Sequence, residues 1–152
     1  MKDFAGTPGT VSGLVLRICQ CIFAVASITA MATSETFISV TAFCYLIASM
    51  GWQVIWSCTL TFLDAYALAN NKLIHNQLTV SFFLIGDWVT AILSLAAASS
   101  SAGITILYFN DMGHCVLEDY CIKYQMSVVF AFFAWITTTI SALIMLWLLA
   151  AG

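Results

Sequence analysis

Residues 79–103 read TVSFFLIGDWVTAILSLAAASSSAG, an apolar run long enough to cross a lipid bilayer, since a spanning helix needs about 20 mainly apolar residues. The run contains one ionisable side chain, that of Asp87. A carboxylate at this depth costs about 2.5–3.5 kcal/mol on insertion scales, so it normally faces the protein interior and has a partner. The run therefore predicts a membrane helix whose charged side chain points at a neighbouring helix.

The two faces of this helix differ in side-chain size. Stepping forward from Asp87 by helical spacing gives Ala91, Ser94, Ala98 and Ala102, which are all small. The opposite face carries bulky residues, which are Ile85, Trp88, Ile92 and Leu95. Small residues mark the face on which membrane helices approach one another closely. We therefore predict that the small-residue face packs against the rest of the protein.

Composition extends this interpretation to the whole chain of 152 residues, of which 62% are hydrophobic and 7% are charged. A soluble domain carries about 25% charged residues. Four spans are expected, at about 14–32, 38–63, 79–103 and 125–150, after a tail of residues 1–13. The predicted fold is all-α, an integral membrane four-helix bundle over residues 14–152 embedded in the lipid bilayer. With only four Lys and Arg residues, a nucleic-acid partner is not expected.

The positions of the basic residues predict the orientation of the bundle. Lys2, Arg17 and Lys72 fall on one side of the predicted membrane, and Lys123 falls on the other. Cytoplasmic segments are richer in Lys and Arg, so both termini are predicted to be cytoplasmic. An alternative is that the first span is a cleaved signal peptide ending near residues 30–32, although its apolar run is long for one.

Arg17 is the predicted partner of Asp87, because both lie in spans that cross the membrane in the same direction. Their depths are roughly 8 and 14 Å at 1.5 Å per residue, a gap that an arginine side chain can close. A guanidinium–carboxylate pair suits a site of low dielectric. In the alternative, Arg17 extends to the membrane surface and Asp87 is protonated or bonded to Thr90. Asp64 is a competing partner for Arg17, but it is more simply explained as an interfacial carboxylate.

Cys115 and Cys121 lie in the motif HCVLEDYC of a predicted outer loop over residues 108–124. Thiols outside the cell tend to oxidise, which favours a disulfide between them. Free thiols remain an alternative. A metal site that adds Asp111 and His114 is another, but the spacing matches no zinc pattern.

The cysteines of the spans are predicted to be small packing residues, and those of the first span, Cys19 and Cys21, are also candidates for palmitoylation. Their counterparts in the second span are Cys44 and Cys58. The tryptophans are expected to act as interface anchors or packing residues, and they are Trp52, Trp56, Trp88, Trp135 and Trp147. Gln53 and the threonines of residues 137–139 are expected to bond one another or the backbone inside the bundle.

The sequence contains no phosphate-binding glycine loop, metal-binding face or nucleophile–base arrangement of the kinds that carry catalysis. We therefore expect a protein without enzymatic activity, cofactor or metal. A transporter usually carries more polar groups at mid-depth and broken helices in repeated halves, whereas this sequence shows one deep charge and no such symmetry.

Two segments, MKDFAGTPGTVSGLVLRICQ at the start and LIGDWVTAILSLAAASSSAGI in the third span, resemble the plant Casparian strip membrane domain-like (CASP-like) proteins. These are related to the wider MARVEL group of tetraspans. The resemblance extends over essentially the whole chain. Arg17 and Asp87 match the paired charged positions of that family in the first and third spans.

This resemblance implies a multi-pass protein of the plasma membrane that forms homo-oligomers, and hetero-oligomers with related tetraspans. Founding members form scaffolds that direct local cell-wall modification and lignin deposition. Here the connection at residues 33–37 is too short for the family stretch linked to the Casparian strip, which favours a more general membrane scaffold. Two alternatives remain: a small channel or its accessory subunit, and a trafficking tetraspan of endomembranes. The sequence does not indicate the extracellular partner.

Overall fold

The computed structural model describes residues 10–33, 41–70, 77–110 and 118–151. Within these ranges the chain forms α1 (Val11–Ala32), α2 (Thr41–Ala69), α3 (Gln77–Asn110) and α4 (Glu118–Ala151), and no strand. Each of these helices is long and apolar enough to cross a membrane. The prediction of an all-α membrane bundle is confirmed for the described part of the chain.

The helices extend beyond the predicted spans. α3 continues to Asn110 and α4 already begins at Glu118, so the prediction of a loop over residues 108–124 is wrong at both of its ends. The reason is that a helix is held by its own backbone hydrogen bonds and does not stop where the apolar run stops. α1 begins earlier than expected because Thr10 caps it, with Oγ1 accepting a hydrogen bond from the Gly13 amide at 3.3 Å.

The described helices form a square. α1 packs against α2 and α4, and α3 packs against the same two helices. α1 and α3 therefore face each other across the bundle axis, and so do α2 and α4. α1 and α4 are antiparallel, because Gln20 of α1 contacts Thr137 of α4, whereas Ser27, further along α1, contacts the earlier residue Ser127. α2 and α3 are antiparallel as well, because Trp56 contacts Asp87 while the earlier residue Gln53 contacts the later residue Ser94.

The interior face of α2 shows how the sequence produces this packing. Apart from Ser49, its buried residues are spaced alternately by three and four positions, and they are Phe43, Leu46, Met50, Gln53, Ser57, Leu60, Asp64 and Ala67. A seven-residue repeat of this kind keeps one stripe of a helix facing its partners along its whole length.

Two apolar clusters fill the bundle, one towards each end. The first contains Ala24, Met31, Phe43, Leu46, Met50, Ala97, Ala98, Ala131 and Ala134. The second contains Leu60, Val80, Phe83, Leu84 and Met145. Between them along α2, α3 and α4 lies a set of polar side chains, here called the polar layer, which consists of Arg17, Gln20, Gln53, Trp56, Ser57, Asp87, Ser94, Thr138 and Ser141.

The outer surface of the bundle is apolar. Large exposed side chains occur on every described helix, among them Ile22 on α1, Phe62 on α2, Ile92 on α3 and Leu143 on α4. Lipid tails solvate such side chains well, whereas ionisable groups in membrane helices face the interior of the bundle. Polar residues inside and apolar residues outside are the distribution expected of a protein that spans a bilayer.

Candidate functional site: a carboxylate bonded by three helices

The side chain of Asp87 is the centre of the polar layer. It belongs to α3 and is fully buried. Arg17 of α1 donates from Nη1 to Oδ1 at 2.8 Å, and Trp56 of α2 donates from Nε1 to the same oxygen at 3.0 Å. Ser141 of α4 donates from Oγ to Oδ2 at 3.1 Å. One carboxylate thus accepts a hydrogen bond from each of the other described helices.

Arg17 and Asp87 form a salt bridge between helices that are not neighbours. Both side chains are buried, and α1 and α3 are diagonal in the square, so the bond crosses the bundle axis. Guanidinium and carboxylate meet through a single oxygen, Oδ1, while the second oxygen accepts from Ser141. A charge-assisted bond in a low-dielectric site is strong, and removing one partner of a buried pair leaves an uncompensated charge.

Trp56 reaches Asp87 because the residue before the aspartate is glycine. The Trp56 ring occupies the space that a Cβ atom at Gly86 would fill, because such an atom would collide with Cζ2 and Cη2 of the indole. The same ring lies at a tilt against Phe82, with 5.9 Å between ring centroids. The close approach of the ring to α3 brings its N–H group within reach of the carboxylate one residue further on.

Gln20 joins the two neighbours of α1 through the two ends of its amide. Its Oε1 accepts a hydrogen bond from Ser57 Oγ of α2 at 3.1 Å. Its Nε2 donates to the carbonyl oxygen of Thr137 on α4 at 3.2 Å. A buried amide that uses both its donor and its acceptor avoids the cost of an unpaired polar group.

Gln53 of α2 also uses both ends of its amide, one on α3 and the other on α4, which lies diagonally opposite α2. From α2 its Nε2 donates to Thr138 Oγ1 at 2.7 Å and to the Ala134 carbonyl at 3.2 Å, both on α4. Its Oε1 accepts from Ser94 Oγ of α3 at 2.6 Å. Each diagonal of the bundle is therefore closed by a polar contact, α1–α3 by the salt bridge and α2–α4 by this glutamine.

A further polar contact joins α1 and α4 beyond this layer. Ser27 Oγ donates to the carbonyl of Ser127 at 2.9 Å, and Ser127 Oγ donates to the carbonyl of Ser27 at 2.8 Å. Both residues are buried. Such a reciprocal pair aligns one residue of α1 with one residue of α4.

The small residues of α3 lie towards the bundle. Ala91, Ser94 and Ala98 are buried together with Asp87, and Ala102 is half-buried. The bulky residues of the opposite face, Ile85, Trp88, Ile92 and Leu95, are exposed. From Asp87 to Ala102 the small residues thus lie on the inner side of α3, whereas before Asp87 the inner side carries the larger residues Phe83 and Leu84.

The other residues singled out from the sequence lie apart from this site. Asp64 is buried on α2. Cys121 falls in the first turn of α4, but its side chain and the whole of Cys115 lie outside the described residues, as do Asp111 and His114. Within the described ranges, no group of three or more His, Cys, Asp or Glu side chains is arranged to hold a metal ion.

Trp56 and Ser141 are contacts of Asp87 that sequence reasoning missed. Tryptophan is enriched at membrane–water interfaces, so Trp56 by itself does not indicate a buried hydrogen bond. Ser141 does carry a weak one, because it lies three residues after Thr138 on the buried face of α4. Polar residues at this spacing on one face of an apolar helix indicate a polar interior stripe.

Comparison with known proteins points to one family. The model of the Casparian strip membrane protein domain matches residues 6–137. The chain is 60% identical to CASP-like protein 5B3 of Arabidopsis thaliana over 152 residues, which is 100% of both chains.

Two further relatives come from other plant lineages. CASP-like protein 5B3 of Oryza sativa subsp. japonica is 52% identical over 99% of both chains. CASP-like protein 5B1 of Picea sitchensis is 52% identical over 99% of this chain and 82% of its own. No solved structure matches the chain. A domain match over most of the length, with full-length relatives of this identity, shows that the chain belongs to the family of CASP-like membrane proteins.

Proposed function

We propose that this protein is a non-enzymatic scaffold of the plasma membrane that associates laterally with copies of itself and with related tetraspans. Both termini face the cytoplasm in this proposal. The assembly defines a membrane region at which the cell wall is modified locally. Membership of the CASP-like family supports the proposal, as does the division of the bundle into a bonded interior and an apolar exterior.

The observation that carries the proposal is the set of hydrogen bonds around Asp87. Arg17, Trp56 and Ser141 reach it from three helices, so one carboxylate joins all the described helices. Such bonds restrict the movement of the helices relative to one another. Rigid surfaces lose less conformational entropy when they associate, which favours defined lateral contacts over transient ones.

The interior polar groups support a structural role over a conducting one. The side-chain amide groups of Gln20 and Gln53 form hydrogen bonds to other helices of the bundle. The serines Ser27 and Ser127 bond each other. Groups committed to one another in this way tie helices together, which is what a scaffold subunit requires.

Single-molecule photobleaching in liposomes tests the self-association directly. Each chain carries one fluorophore, and the bleaching steps per spot are counted over a series of protein-to-lipid ratios. We expect multiple steps that persist on dilution, beyond the random co-occupancy measured for a monomeric membrane protein of similar size. Single steps at all ratios would contradict self-association.

Fluorescence recovery in plant cells tests the scaffold at its proposed location. We expect the tagged full-length protein at the plasma membrane, with slow and incomplete recovery after photobleaching. Rapid full recovery would contradict a static scaffold, and a location in endomembranes would favour a trafficking role. Ion flux through liposomes that contain the assembled protein would favour a channel instead.

A further inference from the structure

Two thiols of neighbouring helices lie close together outside the polar layer. Cys21 of α1 and Cys58 of α2 place their Sγ atoms 3.6 Å apart. Cys58 is exposed on the bundle surface and Cys21 is half-buried. The pair therefore lies at the lipid-facing edge of the interface between α1 and α2, open to molecules dissolved in the bilayer.

A buried contact beside the two thiols keeps them adjacent. The residues that precede them in sequence, Gln20 and Ser57, share a hydrogen bond of 3.1 Å. Gln20 is also held by Thr137 of α4. Consecutive residues of α1 thus meet consecutive residues of α2, and the inner bond sets the register at which the thiols meet.

We infer that Cys21 and Cys58 form an oxidisable dithiol site whose co-reactant is a lipid-soluble hydroperoxide. One sulfur attacks the terminal oxygen of the hydroperoxide, so that an S–O bond forms as the O–O bond breaks, and the departing alkoxide takes the thiol proton and leaves as an alcohol. The second sulfur attacks the sulfur of the resulting sulfenic acid, so that the S–S bond forms as the S–O bond breaks, and the departing hydroxide takes the second thiol proton and leaves as water. The hydroperoxide is reduced by two electrons, and the two thiols together lose two hydrogens.

The geometry suits this closure. A disulfide requires an S–S distance of about 2.05 Å, so the sulfurs approach by roughly 1.5 Å from their present separation of 3.6 Å. Rotation of the two side chains supplies a movement of this size, while the helices stay where the polar layer holds them.

The depth of the site determines which reagents reach it. Cys21 lies ten residues beyond Val11, where α1 begins, which is about 15 Å at 1.5 Å per residue. Hydroperoxides dissolve in the apolar part of a bilayer, whereas charged reductants remain in water. Once closed, the bond ties α1 to α2 across a 37-residue separation and resists water-soluble reductants. This inference does not depend on the proposed scaffold.

The test uses full-length protein in lipid nanodiscs, carrying Cys115→Ser and Cys121→Ser so that the other cysteine pair cannot contribute. Cumene hydroperoxide is the probe. We expect the intact chain to lose the mass of two hydrogens, and non-reducing digestion to yield a peptide that links Cys21 to Cys58. Charged phosphine reductant should reopen the bond slowly in nanodiscs and rapidly after addition of SDS.

Matched single variants separate this site from general thiol oxidation. Cys21→Ser and Cys58→Ser should each abolish the linked peptide, while Cys19→Ser should leave its yield unchanged, because Cys19 lies about 200° around the helix from Cys21. Peptide mapping of the unsubstituted pair does not depend on how the variants fold. Recovery of Cys21 and Cys58 as free thiols after oxidation, or links between separate chains through Cys58, would overturn the inference.

Discussion

The indole ring of Trp56 occupies the space beside Gly86 that any other residue would fill with its Cβ atom. This contact lies one residue from Asp87, whose Oδ1 receives the indole N–H group at 3.0 Å. The dipeptide Gly86-Asp87 thus works as a unit, in which the glycine admits the ring and the aspartate binds it. The fit of α2 against α3 at this level depends on both residues.

Gly86→Ala should destabilise the bundle by about 1–3 kcal/mol, the usual range for an overpacked core. The new methyl group displaces the Trp56 ring and lengthens or breaks its bond to Asp87. The free energy of unfolding is measured by SDS titration in dodecylmaltoside micelles, and the Trp56 environment by fluorescence.

Gly103→Ala is the matched control, since it is the same substitution on the same helix with no atom within 4 Å of the new Cβ. Its stability should be unchanged or slightly higher, because alanine is the better helix former. Equal effects at Gly86 and Gly103 would show that the Trp56 contact is unimportant.

Arg17→Met and Asp87→Asn should each cost about 3–5 kcal/mol, because each leaves the other charge buried without its partner. The double variant Arg17→Met/Asp87→Asn should cost less than the sum of the two, since it contains no unpaired charge. The same SDS titration measures all three, and the difference gives the coupling free energy. Additive losses would mean that the two charges do not interact.

Exchanging the charges tests the pair in a second way. Arg17→Asp/Asp87→Arg should recover part of the loss caused by either single change. Recovery should be incomplete, because Trp56 and Ser141 lose the acceptor that Asp87 provides. Normal expression and assembly of both single swaps would argue against a structural pair.

Ser141→Ala should destabilise the protein by about 1–2 kcal/mol, the upper part of the range for hydrogen bonds between membrane helices, because the acceptor is a charged carboxylate. Ser99→Ala is the control, since Ser99 is exposed and its hydroxyl bonds only the Leu95 and Ala96 carbonyls of its own helix. Thermal unfolding in detergent should show a lower midpoint for Ser141→Ala and little change for Ser99→Ala. A larger loss of stability for Ser99→Ala than for Ser141→Ala would show that the Ser141 hydrogen bond does not stabilise the bundle.

Ser49→Ala should have the opposite sign. Among the described residues, Ser49 Oγ is the buried side-chain oxygen or nitrogen that has no hydrogen-bond partner. Removing an unsatisfied buried hydroxyl is neutral or stabilising, here by up to about 1 kcal/mol. The measurement is the same thermal unfolding, with Ser141→Ala alongside. A loss as large as that of Ser141→Ala would mean that the Ser49 hydroxyl has a partner in the membrane.

The charges and side-chain sizes in the sequence predict part of the site. Buried charges are rare and require partners, so few residues could serve Asp87, and Arg17 lies at a similar depth. The small-residue spacing of α3 likewise predicts which side of that helix approaches its neighbours. Neither argument predicts that Trp56 contacts Asp87, because this contact depends on the rotation of α2 about its own axis, which directs the indole towards α3.

Gln53 shows the same limit on another helix. Its sequence position predicts a buried amide that needs partners, and the threonines of residues 137–139 are candidates. Thr138 and Ser94 become its partners, while Thr137 and Thr139 donate to carbonyls of their own helix. Neighbouring threonines point in different directions around a helix, and packing decides which one faces the glutamine.

The sequence by itself determined that this chain spans a membrane as an all-α bundle, because long apolar runs have no other stable arrangement in lipid, where each backbone must satisfy its own polar groups. Tertiary structure alone decided which donors surround Asp87. Trp56, Ser141 and Arg17 lie 31, 54 and 70 residues away along the chain. They converge because close packing, with Gly86 against Trp56 and alanines between the helices, sets the rotation and depth of each helix.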